Sequence, residues 1–527
     1  MKRILLMLAL TGSVLMVNGQ QHDVSVTGSI QSDMLLSTQS HGNDAADNGD
    51  FMSNTYVDLV LQSHYVDAGT RMEHMEHPLP GYDSDFKGWG LPHFWVKGKL
   101  DKVELTAGTF YEQFGSGFIL RSYEERSLGI DNSLLGARIA VKPMSGITIK
   151  ALTGKHRHYW KWDGGLVSGA DAEVNLGEML SPAFPHPIPL TIGASWVNKY
   201  EKDEDIFTDP THRLNLPKYV NAWDVRASLN SGPWGILVEY AQKTQDPSFD
   251  NNYSYADGHV AMLSSSYSKK GLSILLQAKR SENMVFRSQR SCLGASMFIN
   301  HMPAFTLDHT YTLAALYPYA TQLAAGEWAY QAEIGYNFKR KTALGGKYGT
   351  NLKVNYSYVR AIQDAWLKWG DATYYQDLCL QMSRRLTHDV KLNLMYMNQH
   401  FNKTVVEGEG GMIHANIFVA DALFQLAHST KLRTELQYLT TRQDLHDYVF
   451  ALAELSLAPH WMFTLSDAWN HGGTKDHYYQ GLVTYNVGSH RLQAGYGRTE
   501  AGYNCSGGVC RYVPETKGFT LSYNYNF

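Results

Sequence analysis

The chain has 527 residues with a formal net charge of -4, only 18% charged residues and 12% aromatic residues, among them 33 Tyr, 20 Phe and 12 Trp. So even a balance offers no basic stripe for a polyanion, and no nucleic-acid partner is expected. Beyond the N-terminus no apolar run approaches the ~18 to 20 residues that a membrane helix needs, which excludes a helical membrane protein but not strands that alternate lipid-facing and lumen-facing residues.

Residues 1–19 read as a signal peptide. Lys2 and Arg3 give the positive start, Ile4 to Val17 the apolar core, and Val17-Asn18-Gly19 the small residues a signal peptidase requires. No Cys stands directly after the expected cleavage site, so no lipoprotein anchor is expected. The remainder, 20–527, reads as one domain. Val24, Val26, Ile30 and Met34 share a face, so a strand starts at once and leaves no room for an N-terminal plug domain. A polar stretch from Ser37 to Phe51 then leads to a returning strand through Val57, Leu59 and Leu61.

From there one unit repeats: strand, tight turn, strand, longer loop. Turns fall at Asp101-Lys102, Lys142 to Gly146, Gly232-Pro233, Lys269 to Gly271, His428 to Lys431, Ala458 to His460 and Gly488-Ser489. Longer segments lie between them, near 76–91, 200–217, 244–257, 361–372 and 499–514. Short turns on one rim and long loops on the other are the asymmetry of outer-membrane barrels, with the turns periplasmic. The predicted fold is all-β: one large closed antiparallel transmembrane β-barrel of about 24 strands, within a range of roughly 22 to 26, with long loops folded into the lumen. Leu166 to Val174 is the strand that keeps the count even.

Two inserts stand out. The first, 112–134, with Arg138 just beyond it, carries Arg121, Glu124, Glu125, Arg126 and Asp131 among Phe118, Leu120 and Leu128. The second, 281–326, carries Arg287 and Arg290 with Met302, Phe305, Tyr311, Leu313, Tyr317 and Tyr319. A lumen this wide is not filled by wall side chains alone. Aromatic content argues against disorder, so both inserts are expected to turn inward. Their charges either line a constriction or clamp a plug to wall positions such as Glu104, Glu112, Glu333, Arg433 and Glu435.

The chain closes on KGFTLSYNYNF, in which Phe519, Leu521, Tyr523, Tyr525 and Phe527 share one face. This resembles the C-terminal assembly signal of outer-membrane β-barrels. The resemblance implies insertion by the barrel assembly machinery into the bacterial outer membrane, in contact with lipid and lipopolysaccharide. Three stretches, Leu79 to Arg138, INHMPAFTLDHTYTLAALYPYAT at 299–321 and the closing GGVCRYVPETKGFTLSYNYNF, resemble an uncharacterised family of Bacteroidota outer-membrane barrels. That resemblance implies the barrel and the membrane, and no activity.

Four Cys in an exported chain point to disulfides. Cys505 and Cys510 bracket a tight turn and are expected to bridge. Cys379 and Cys292 are a second possible pair, tying wall to insert, with two separate thiols as the alternative. The metal-like clusters are weak. His74 and His77 point to opposite sides of an extended chain, and DAADNGD at 44–50 places Ala46 where a calcium ligand belongs. Acids at Glu201, Asp203, Glu204 and Asp205 are expected to bridge lipopolysaccharide cations, and the run Lys155 to Trp162 either grips phosphorylated sugars or forms an interfacial girdle. No cofactor, metal or enzymatic activity is expected. Function reads as a passive, porin-like channel for a polar solute. The alternative is a closed barrel serving as a structural subunit of a surface or outer-membrane assembly, with lipoproteins or other subunits as partners.

Overall fold

The computed structural model describes residues 24–38, 51–181, 188–363 and 368–527, so the expected signal peptide and the 44–50 cluster lie outside the described residues. Twenty-four strands, from Ser25–Ser37 to Thr516–Asn526, form one antiparallel sheet, and the last pairs back onto the first. The wall is a closed barrel with the expected number of strands. At its seam the register runs from Ser29 opposite Asn526 to Ser37 opposite Gly518. Gly28 and Phe527 exchange both backbone hydrogen bonds at 3.0 Å.

Side chains alternate across the wall as period-two strands require. In Thr430–Thr441, Leu436 and Tyr438 are exposed while Glu435, Gln437 and Leu439 are buried. In Val390–Asn402, Leu394 is exposed, and Met395, Met397, Gln399 and Phe401 are buried. The closing strand turns Phe519 and Leu521 outward, 55% and 38% exposed. Apolar residues on the outside and a closed hydrogen-bonded ladder are what a strand-built protein needs in hydrocarbon, where no edge is tolerated. The protein is a barrel of the bacterial outer membrane.

One rim carries tight connections such as Asp101-Lys102, Gly232-Pro233 and Gly488-Ser489, and both ends of the described chain lie there. Gly232 and Gly488 both sit at φ 55, the left-handed backbone that two-residue hairpins commonly use. The other rim carries the long connections, 111–133 and 283–326 the longest. Among the described residues, three connections depart from this division, one of them the eleven-residue link 339–349 on the short rim. The helix Leu176–Leu180, capped by Asn175, lengthens a link on the short rim. On the long rim Tyr159-Trp160 alone joins two strands, with Tyr159 at φ 55, so the strand expected over Leu166 to Val174 runs Lys161–Asn175.

Candidate functional site

Both inserts turn their apolar residues onto the inner wall. Phe114, Phe118, Ile119 and Leu120 of the first and Phe286, Met297, Ile299 and Leu313 of the second are almost wholly buried. All of these except Met297 belong to one contiguous apolar cluster with Val197, Val220, Val260, Val359, Met397 and Ile417 of the wall. Each such side chain contributes about 1.5 to 3 kcal/mol on burial. The inserts also bond to each other: Arg121 N–H donates to Ile299 O at 2.8 Å, His301 N–H to Gly117 O at 3.0 Å, and Asn300 Nδ2 to Phe118 O at 3.1 Å.

Wall side chains reach the backbones of both inserts. Gln437 Oε1 accepts from Leu313 N–H at 2.8 Å, and Gln399 Nε2 donates to Tyr317 O at 2.9 Å. Glu239 accepts from the Ser116 hydroxyl at 2.5 Å and the Ser116 N–H at 3.0 Å. The inserts therefore have wall partners for polar groups that would otherwise be buried unpaired, the condition for a polar interior to be stable.

Of the charged residues singled out in the sequence, all but Arg121 and Glu125 are matched to an opposite charge. Arg126 pairs with Glu124 at 3.0 Å and Asp58 at 3.4 Å, and lies 4.3 Å over the Tyr56 ring. Glu124 also holds Arg71 at 2.7 Å. Glu125 accepts from Ser127 N–H at 3.2 Å, capping a short 3₁₀ turn. Arg121 lies 5.0 Å over the Tyr123 ring, a cation–π contact in place of a carboxylate. Arg138 pairs with Glu112, which Lys150 joins at 3.0 Å. Arg287 binds Asp250 at 2.7 Å and Arg290 binds Glu201 at 2.9 Å. Of the partners expected on the wall, Glu112 lies instead in the first insert and holds the wall residues Arg138 and Lys150. Arg433 and Glu435 pair with each other within one wall strand, Glu333 pairs with Lys353 at 2.7 Å, and Glu104 stays near the surface, 3.9 Å from Arg138.

Two expectations are corrected. Glu201 does not face lipopolysaccharide: it is buried between Arg290 and Lys199, and Lys199 pairs in turn with Asp246 at 2.7 Å. Arg157, in the run expected either to grip sugars or to form an interfacial girdle, is buried against Glu73 and Asp131, each at 2.6 Å, and so is not open to sugars. Both corrections have one cause, an unpaired buried cation demanding a carboxylate. Sequence reading also missed Lys279, fully buried 3.0 Å from Glu327.

Glu73, His93 and Asp131 bring one ligand atom each within 4.8 Å of one another. The cation among them is already present, since the Arg157 guanidinium spans both carboxylates while His93 Nε2 bonds Asp131 at 2.7 Å. The geometry is that of an arginine clamp.

Cys505 and Cys510 are bridged, as expected, across the hairpin of Gly502–Ser506 and Val509–Val513. Cys292 and Cys379 are buried and unbridged, so the second pairing is not formed. They belong to different regions: Cys292 follows the Arg290–Glu201 clamp, and Cys379 lies beside Asp377, which binds His309 at 2.5 Å. On the short-turn side a chamber of about 580 Å³ remains, lined by Glu112, Lys150, Asp171, Glu173, Arg226 and Glu239. Arg226 holds Asp171 at 2.7 Å and Asp224 at 3.0 Å.

The sequence matches the family described as "Family of unknown function (DUF6029)" over residues 1–527. The chain belongs to that family. For this DUF6029 chain a comparison with curated proteins gives no match. Among solved structures, it is similar to a chain of the E. coli P pilus tip assembly intermediate PapC-PapD-PapK-PapG, at 11% identity and TM-score 0.51, covering 97% of this chain and 62% of that one. It thus spans less than two thirds of that chain's length. The P pilus usher (PapC) translocation pore follows at 10% identity and TM-score 0.44, covering 95% and 99%. The siderophore receptor PirA of Pseudomonas aeruginosa follows at 8% identity and TM-score 0.42, covering 96% and 81%. At such identities the likeness speaks for the fold of the DUF6029 chain alone.

Proposed function

We propose that the protein is an outer-membrane barrel closed at rest, its lumen plugged by 111–133 and 283–326, and that it serves as a non-enzymatic structural subunit of an outer-membrane or surface assembly. The observation that carries this reading is the pairing of the insert cations. Arg126, Arg287 and Arg290 are bound to carboxylates of the wall and neighbouring loops, and Arg121, the insert cation without a carboxylate, lies over the Tyr123 ring, so the inserts present no cluster of unpaired cations to attract a solute. An apolar core continuous from insert to wall supports the same reading, because opening the bore exposes it to water. On this view residues 1–19 are removed on export, Phe519 to Phe527 present the assembly signal, and the long-loop rim docks lipoproteins or other subunits.

The second reading is a passive, porin-like channel. The charged chamber on the short-turn side favours it, since a polar solute entering from the periplasm meets a wet, polar pocket first. Single-channel recording in planar bilayers separates the two. The closed reading expects a silent wild type and stable conductance after deletion of 284–322; steady wild-type conductance selects the channel. Co-purification of stoichiometric partners in mild detergent tests the subunit role.

A further inference from the structure

A second cavity, of about 970 Å³, lies at the long-loop rim between the two inserts, the 76–87 loop and the disulfide hairpin. Its volume falls within the ~300 to 1,000 Å³ typical of small-molecule sites. Met52, Phe86, Leu128, Phe298, Met302 and Leu323 give it apolar walls. The hairpin closes one side, where Gly508 O accepts from Thr321 N–H at 3.0 Å.

The charges on this lining do not balance as they do in the clamps. Arg511 is its only lysine or arginine, and among the described residues that guanidinium pairs with no carboxylate. It donates through Nη1 to Leu128 O at 2.5 Å and lies 4.6 Å over the Tyr82 ring. Gly129, at φ 63, leaves the space this requires, since a Cβ there would fall 2.1 Å from Arg511 Nη1. Both lining carboxylates are engaged elsewhere: Asp83 accepts from the Tyr159 hydroxyl at 2.5 Å and Glu515 pairs with Arg498 at 2.7 Å. Beneath the same wall, His301 Nδ1 and Thr321 Oγ1 are buried with no hydrogen-bond partner. Native interiors rarely leave such atoms unpaired except where something else binds.

We propose that this cavity is a binding site for an organic anion with an aromatic or aliphatic body, its acid group seated on Arg511 and its body on the apolar wall. A guanidinium presents two parallel donors to a carboxylate, which fixes orientation, while the wall contributes through burial. The site lies on the outward rim and does not depend on whether the lumen conducts.

The test uses the full chain in lipid nanodiscs and titration calorimetry with indole-3-acetate, against indole and acetate as halves of the probe. Indole-3-acetate is expected to bind well above either half. Arg511→Gln is expected to weaken it at least tenfold, with Arg511→Lys intermediate. Ala320→Trp, which fills the cavity and keeps Arg511, abolishes binding even if the arginine variants loosen the hairpin. Competition by dodecanoate assigns the natural anion to an acyl source, and lack of competition to a compact aromatic solute. The proposal is overturned if indole-3-acetate binds no better than its halves, or equally well in Arg511→Gln and Ala320→Trp.

Discussion

Glu201 grips Arg290 at two points: one carboxylate oxygen accepts from the Arg290 backbone N–H at 2.9 Å and the other from its Nε at 2.9 Å. Lys199 lies 3.1 Å from the same carboxylate, and all three residues are buried. Glu201→Ala leaves two cations without this partner in a dry interior, at a cost of about 3 to 5 kcal/mol. The cost is expected to appear as release of the insert, with trypsin cutting after Arg287 or Arg290 in folded protein that resists it in the wild type. A variant as resistant as the wild type would show that this clamp does not hold the insert.

The barrel seam makes a second demand. A Cβ on Gly28 would lie 2.5 Å from the Phe527 ring and 2.7 Å from the backbone oxygen of Asp58, which cannot move aside without breaking the ladder. Gly28→Val is therefore expected to cut the yield of folded, heat-modifiable barrel in outer-membrane fractions several-fold. Gly98→Ala, whose new methyl meets nothing closer than 3.9 Å, is expected to assemble normally. Equal yields from the two would separate assembly from seam geometry.

Two thiols and one bridge have a direct chemical signature. Alkylation in denaturant without reductant is expected to modify Cys292 and Cys379 and leave Cys505 and Cys510 untouched, while native protein is not labelled. Burial raises the pKa of the Cys292 thiol, which slows its native reaction further. A Cys292–Cys379 linkage in a peptide map would contradict this arrangement.

Burial in the second insert lowers the pKa of His301 to about 3, helped by the nearby Arg121 and Lys279 charges. The unfolded chain takes up that proton near pH ~6.5 and the folded protein refuses it until about pH 3, so stability falls as pH drops between these values. His301→Gln removes this contribution, on the order of a few kcal/mol at most. The expected result is a smaller loss of unfolding temperature from pH 7 to pH 4 than in the wild type. Identical pH slopes would mean that His301 is accessible to protons in the folded state.

What the sequence disclosed follows the range of the interactions involved. Alternation is local, so the outward Phe519 and Leu521 and the number of wall strands were legible from neighbours alone. The extra turn of wall at Lys161 was not, because Tyr159-Trp160 contains neither Gly nor Pro to mark a hairpin. Clamp partners were beyond reach: Arg157 and Glu73 are 84 positions apart, and Arg290 and Glu201 are 89. One signal was available. Lys199 and Glu201 share the parity of Val197, opposite the exposed Trp196, and charges on the inward face of a strand end call for inward partners. The unbalanced Arg511 gave no such hint, since its surroundings come from four separate loops.

The backbone bonds between the inserts, Arg121 to Ile299 and His301 to Gly117, lash two mid-chain segments into one body. Neither can withdraw while the other stays without stranding amide groups in a dry interior. Any passage through this bore is consequently all-or-none, and substitutions in either segment should alter how often it opens and leave the size of each current step unchanged.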